Sequence, residues 1–426
     1  MDYFQYQNGE LYASDVPIRE ITEAVGTPFY CYSCDSLEYQ YKLFSDALHG
    51  LDAQVFFAVK ANSNISVIAT LARLGAGADV VSTGELKRAI VSGVEASKIV
   101  FSGVGKTQEE MAYAIKAGVL QINVESLSEL EMLSDVASSL GANSNVAIRV
   151  NPDVDANTHK KITTGKSENK FGVSWKEAHK AFALAYKLPG INANGVAVHI
   201  GSQILDLKPF RDAFKLVVGL IKELRQDGYA IESVDLGGGL GISYGNEQPS
   251  SPKEYGDMVK SVFGNLDCRI YFEPGRSIAG KAGILVTRVI RVKEGSNRSF
   301  VVVDAAMNDL LRPALYEAQH EIQPVIGASS SDKMQVIEVV GPICETGDTF
   351  GLPKSMPLAV AGSLLAIRNA GAYGAVMAST YNTRPLIPEI MVKGKSFSVI
   401  RDRISVDELL AFERLPSWLS KQANTS

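Results

Sequence analysis

Short apolar runs recur along most of the chain, at residues 55–59, 78–81, 99–101, 122–124, 146–150, 196–200, 234–236 and 270–272. Between them lie stretches of helical periodicity, at 67–74, 84–91, 109–117, 127–140, 175–187 and 209–226. Strands alternating with helices predict a parallel sheet with right-handed crossovers. Eight strands before the pattern changes is the number of a TIM-type (β/α)8 barrel. The alternative, an open doubly wound sheet, needs a G-x-G-x-x-G after an early strand, and none stands there. Upstream, 27–32 predicts a strand entered through Pro28, with a helix behind it at 35–48; residues 1 to about 26 show no strong period. Beyond Arg276 the alternation stops. Runs at 284–292, 300–303, 335–340, 358–360 and 390–392 read as strands, interrupted by helix-like 308–315 and 363–370. The expected fold class is therefore α/β, with a barrel over 34–280 and a second, β-rich domain over 281–426.

A barrel concentrates chemistry where its strands end, on the C-terminal face. The residues there are Lys60, Ser82, Ser102, Glu125, Asn151, His199, the Gly237–Gly239 run and Glu273. The polar stretch 151–172 follows the fifth strand on the same face, and a loop of that length is a functional lid or is disordered.

Composition narrows the class. The chain has 426 residues, 46% apolar and 21% charged, with a net charge of −5, which argues against nucleic acid or an anionic membrane as the main partner. No run is long enough for a membrane span and no basic-then-apolar leader opens the sequence, so a cytoplasmic enzyme is the default. The five histidines are scattered without metal-ligand spacing, and no metal site is expected. Cys31 and Cys34 form a C-x-x-C that reads as two buried thiols or as a redox pair.

The strand-end residues carry specific chemistry. Lys60 closes the run Gln54-Val55-Phe56-Phe57-Ala58-Val59-Lys60; burial lowers an ammonium's pKa and makes it a nucleophile or Schiff-base partner, unless the amine simply reaches water. Consecutive glycines at 237–239 let backbone N–H groups close on a phosphate, and Glu273-Pro274-Gly275-Arg276 adds a second turn with a cation. A lysine, a phosphate cradle and a carboxylate at one barrel mouth fit pyridoxal 5′-phosphate (PLP), with Glu273 on the pyridine nitrogen and His199 against the ring face. Cys344, beside Glu345, is a thiol able to return a proton to a carbanion. Arg312 and Tyr316, four apart, share a face if helical and could hold a carboxylate.

These motifs resemble the diaminopimelate decarboxylases, PLP enzymes that share the alanine-racemase-like barrel. The resemblance runs from about Thr27 to Val392 and rests on Phe57-Ala58-Val59-Lys60-Ala61-Asn62, His199-Ile200-Gly201-Ser202, the glycine run, Glu273-Pro274-Gly275-Arg276, Met307-Asn308-Asp309-Leu310-Leu311-Arg312-Pro313, Cys344-Glu345-Thr346-Gly347-Asp348 and Gly371-Ala372-Tyr373-Gly374. The segment 164–172 resembles them more than it does the ornithine- or arginine-specific relatives. The resemblance implies decarboxylation of meso-2,6-diaminopimelate to L-lysine. Lys60 would be the Schiff-base lysine and Cys344 the proton donor. His199, Ser202, Gly238, Gly239, Glu273, Gly275, Arg276 and Tyr373 would surround the cofactor, and Arg276, Arg312, Tyr316, Glu345 and Tyr373 the substrate. It also implies a homodimer in which Cys344 and Glu345 reach the partner's site, and residues 1–33 packed with the β-rich domain. Thr346 stands where serine is common, and Lys160-Lys161 where an uncharged pair is usual. The rivals are an ornithine or arginine decarboxylase, a racemase, and a PLP-carrier protein; the carrier lacks a β domain.

Overall fold

The computed structural model describes residues 1–156, 158–159, 161–162, 164–165, 170–296, 298–327, 333–357 and 359–420. Lys160, Lys166 to Asn169 of the lid segment, and Leu358 lie outside them.

Eight parallel strands close on themselves: β1 (Ala53–Ala58), β2 (Gly77–Val80), β3 (Ile99–Phe101), β4 (Gln121–Val124), β5 (Ser144–Asn151), β6 (Ile191–Ala197), β7 (Ser233–Asp235) and β8 (Arg269–Phe272). The circle is sealed where Ile270 of β8 pairs with Ala53 of β1. The expected (β/α)8 barrel is the observed one. Alternation along each strand explains it. Val55, Phe57, Ala78, Val80, Ile99, Phe101, Ile122, Val124, Val234, Ile270 and Phe272 join the main core with the surrounding helices, whereas Phe56, Val100 and Tyr271 form a separate small cluster inside the barrel.

The helices Ile65–Ala72, Thr83–Val91, Gln108–Ala117, Leu127–Ser139 and Lys208–Gln226 match the periodic stretches within one or two residues. The helix Pro252–Phe263 was not expected from periodicity, although Ser251 and Glu254 form a capping box around a proline at its first position. Residues 1–26, which lack a strong period, nevertheless form a three-stranded antiparallel sheet (Phe4–Gln7, Glu10–Ala13, Val16–Pro17) and the helix Ile18–Val25. Strands of four residues or fewer are too short to register as alternation.

The second sheet draws on both ends of the chain. Phe29–Ser33 lies between Gly283–Lys293, antiparallel, and Glu389–Lys393, parallel. Two expectations fail here. The helix-like 363–370 is the strand Leu364–Ile367, paired with residues 285–288; a four-residue apolar run cannot be told from a helix turn by period, and strand pairing decides. The run at 358–360 is also not a strand among its described residues; the strand is Lys354–Pro357, immediately before it. Asn308–Leu315 shortens to the helix Arg312–Tyr316. No helix among the described residues is long and apolar enough to cross a membrane.

Candidate active site

The C-terminal ends of the barrel strands surround a cavity of about 460 Å³, within the range that holds small-molecule ligands. Lys60, His199, Ser202, Glu273, Arg276, Tyr316 and Tyr373 line it. A hollow of similar size, about 500 Å³, opens at the other end of the barrel among Asp52, Arg225, Asp267 and Arg269. Volume does not distinguish the two ends; the side chains do.

Lys60 leaves β1 through a single turn of 3-10 helix, Val59–Ala61. The β-rich domain pins that turn: Tyr373 N–H donates to Ala61 O (2.7 Å) and Asn62 Nδ2 to Gly371 O (3.0 Å). Lys60 Nζ donates to Asp79 Oδ2 at 2.7 Å; Asp79 is fully buried, while 36% of the lysine side chain opens into the cavity. The sequence led to an amine depressed by burial. Burial does push that way, but Asp79 and Glu273 outweigh it and hold Lys60 well above the ordinary lysine value. Without a cofactor it is an ammonium.

Across the cavity, Glu273 is buried and its carboxyl is raised far above the carboxylate range, first by burial, then by Asp235 and Asp79, with Lys60 opposing. His199 is pushed down by burial, Arg149 and Lys60, so its ring is neutral. Its Nδ1 accepts from Gly238 N–H (3.2 Å), which leaves the hydrogen on Nε2. Gly239 has φ +111°, and a Cβ on Gly238 would sit 2.3 Å from Glu273 O. A Cβ on Gly275 would meet that of Ala61 at 2.8 Å. The glycine turns are thus packed edge to edge, with backbone and no side chain at the rim.

Arg276 donates from Nη1 to Tyr244 Oη (2.7 Å) and from Nη2 to Ser202 Oγ (3.0 Å), and lies 4.7 Å from the Tyr373 ring centroid. Arg312, 5% exposed, donates to His320 Nε2 (2.7 Å) and stacks on Tyr244 at 4.3 Å. Nε of each arginine is buried without a hydrogen-bond partner. Tyr316 meets the lid, its ring edge-on to His159 at 5.9 Å.

Cys344 and Glu345 are not brought to this cavity. Both are exposed, on a loop built around the buried carboxylate of Asp348, which accepts from Ile343 N–H (2.6 Å) and Met307 N–H (2.7 Å). The Tyr381 hydroxyl donates to Glu345. Arg312 is likewise not part of the cavity wall; it stands behind Tyr244. Cys31 and Cys34 are buried free thiols.

Several residues at the site escaped the sequence reading: Asn123, Arg149 and Asp235 line the cavity and Asp79 holds its lysine, while Ser102, foreseen as a strand end, lines it as well. Arg149 forks onto Glu125 (3.0 and 3.1 Å), whose carboxylate also accepts from Gly103 and Gly172 N–H and so ties the lid's end to the barrel. A signal existed. Asp79, Asn123 and Asp235 each stand between two apolar residues of a strand-like run, the mark of an inward polar position.

These residues fit PLP. The cavity holds an amine with one acceptor, a neutral imidazole face, a carboxyl carrying a proton, and glycine turns that admit no Cβ.

Comparison with known proteins agrees. Residues 34–280 match the family described as pyridoxal-dependent decarboxylase, pyridoxal binding domain. The diaminopimelate decarboxylase of Zymomonas mobilis is 48% identical over 421 residues, 98% of this chain and 99% of that protein, and that of Pseudomonas aeruginosa is 48% identical over 97% and 99%. The crystal structure of the Helicobacter pylori enzyme complexed with L-lysine superposes with a TM-score of 0.89 at 40% identity, covering 95% of this chain and 99% of that one. The chain belongs to the diaminopimelate decarboxylases, a family of pyridoxal-dependent enzymes.

Proposed function

We propose that the chain decarboxylates meso-2,6-diaminopimelate to L-lysine and carbon dioxide, the last step of lysine biosynthesis, with PLP held at Lys60. The observation that carries this reading is the Lys60 amine, open to a cavity walled by Glu273, His199 and the arginine–tyrosine cluster. Bound there, PLP would supply the electron sink for the pair left at Cα when the carboxylate departs.

The chain's own residues do the rest. Lys60 offers the amine for the cofactor's aldehyde, and Asp79 receives its ammonium whenever the amine is released. The N–H groups of Gly239, Gly275 and Arg276 hold the phosphate, with Ser202 beside them, while Gly238, whose own N–H goes to His199, contributes bare backbone at the rim. His199 presents a neutral ring to the cofactor face, and Glu273 faces the ring nitrogen. Arg276, Tyr316 and Tyr373 take the carboxylate that stays, with Arg312 adding its charge from behind Tyr244; the free Nε of Arg276 supports this, since a buried donor without a partner costs about 1–3 kcal/mol until a ligand fills it. Cys344 returns a proton to Cα, and Glu345 takes the distal amine.

Cys344 and Glu345 stand exposed and outside the cavity wall, and that supports a homodimer in which each 341–348 loop completes the partner's site. Residues 34–280 would form the PLP-binding unit, and 281–426 with 1–33 the second. A cytoplasmic location agrees with four free cysteines. The Helicobacter pylori enzyme named above carries L-lysine, the product expected here.

Carbon dioxide release from diaminopimelate, ornithine, arginine and lysine, assayed in parallel, tests the reading. Release from diaminopimelate alone is expected. Release from ornithine but not diaminopimelate would sink the substrate assignment, because ornithine has no distal carboxylate for the arginines.

A further inference from the structure

A polar thread runs through the inside of the barrel. Ser233 Oγ donates to Gln121 Oε1 (3.3 Å), and Gln121 Nε2 to Asn123 Oδ1 (2.8 Å). Asn123 Nδ2 donates to Asp235 Oδ2 (2.8 Å) and Ser102 Oγ (3.1 Å), and Ser102 Oγ to Glu273 Oε1 (3.3 Å). All six side chains are buried. Barrel interiors are ordinarily filled by branched apolar side chains, and buried polar groups cost free energy unless they are paired. The thread is paired throughout, and its direction follows from one residue. An ionised Asp235 has only acceptors, so Asn123 must turn its NH₂ toward it. That leaves the Asn123 carbonyl to Gln121's NH₂, and the Gln121 carbonyl to the Ser233 hydroxyl. Every donor points toward the two carboxyl groups.

Asp235 is the junction. Its Oδ1 accepts from Gly237 N–H (2.9 Å), in the glycine turn, and Asn123 and Ser102 link its carboxylate to that of Glu273. Two buried carboxyls joined by so short a thread repel as like charges and resist ionising together, so the pair keeps one proton. The charged groups that face Glu273 are Asp235, Asp79 and Lys60.

We propose that Asp235, oriented by Asn123 and by the Gly237 amide, is a positioning residue that holds Glu273 and the shared proton where the cofactor's ring nitrogen meets them. The proposal rests on Glu273 serving that nitrogen. It links the phosphate turn to the ring-nitrogen partner through one buried side chain, so the two ends of the cofactor site are set together.

Infrared spectroscopy of the cofactor-free protein reads the shared proton directly. Glu273→Gln should remove one protonated-carboxyl band. In Asp235→Asn the like charge is gone, so the band should vanish at a lower pH than in the unaltered protein. In Asn123→Leu the carboxylate loses a donor, the pair grips its proton more tightly, and the band should persist to higher pH. Displacements of opposite sign in the two variants are the expected result. No displacement in either, or displacements of the same sign, would overturn the proposal, and the opposed signs guard against general loosening of the fold. The underlying reading fails separately: Glu273→Gln with an unchanged PLP dissociation constant would remove Glu273 from the ring nitrogen, whatever the band does.

Discussion

Two lysines stand at the C-terminal face of the barrel, one after β1 and one after β3, each paired to a carboxylate. Lys106 is 1% exposed and saturated: its ammonium donates to Gly103 O (2.6 Å), Asn123 O (2.7 Å) and Glu129 Oε1 (2.5 Å). Lys60 has Asp79 alone among the described residues, and over a third of its side chain opens on the cavity. Burial by itself would nominate Lys106. What separates them is donor valence: a saturated ammonium is a strut, and an unsaturated one facing a cavity can do chemistry.

The comparison breaks if the two residues respond alike. The largest effect is expected for Lys60→Ala, which should lower turnover by more than about 10³-fold and abolish the visible absorbance of bound cofactor. The protein should remain folded by circular dichroism, since Asp79, left unpaired beside an open cavity, can take up a proton. Persistence of the absorbance band would refute the assignment. Lys106→Ala should do the reverse: it strands Glu129 in the interior and costs about 3–5 kcal/mol of stability in a urea titration. At a denaturant-free, fully folded temperature the cofactor band should survive. An unchanged urea midpoint would remove Lys106 as a strut.

Asp79→Asn sharpens the contrast on the Lys60 side. Asp79 is the chief group holding the ammonium up, so its removal lowers the lysine's proton affinity. The cofactor-free variant should then capture PLP faster at pH 7, by roughly tenfold for every tenfold loss in that proton affinity. The half-maximal pH for capture should move to lower pH. A move upward, or slower capture at every pH, would mean that Asp79 orients the amine more than it charges it.

How much of this was legible in the chain depended on whether a signal was local. The barrel strands and most helices follow from period alone, and Lys60, Glu273 and the glycine run announced themselves by their place at strand ends. Asp79, Asn123 and Asp235 did not, because a single polar residue inside an apolar run looks like noise until the barrel closes and turns it inward. The opening sheet at 4–17 was hidden by strands of two to four residues, and Leu364–Ile367 by a run that fits either a helix turn or a strand. Arg312 was foreseen as a carboxylate ligand sharing a helix face with Tyr316; its buried partner His320 was not, since nothing in the seven intervening residues hints that the two touch.

His320 extends the comparison to a titratable group and gives the smallest effect. It is 2% exposed and saturated like Lys106: Nδ1 donates to Arg368 O (2.7 Å) and Nε2 accepts from Arg312 (2.7 Å). Burial, then the Arg312 charge, hold it down at about 3. The unfolded chain binds a proton at about 6.5, so the unfolded state gains protons first as the pH falls. The stability tied to a neutral His320 is therefore complete above about pH 6.5 and is lost progressively toward pH 3, amounting to about 2 kcal/mol at pH 5. Asp309 tilts the other way: burial raises it to about 7, so it favours the fold less as the pH rises from about 4 to 7. His320→Gln should flatten the acid side of a stability–pH curve measured by urea titration and uncover the downward Asp309 slope. The cofactor spectrum should change little, because His320 acts through Arg312 and not on the cofactor. If His320→Gln left the acid slope intact while altering the cofactor band, a saturated buried group would be doing chemistry, and donor valence would no longer separate struts from catalysts.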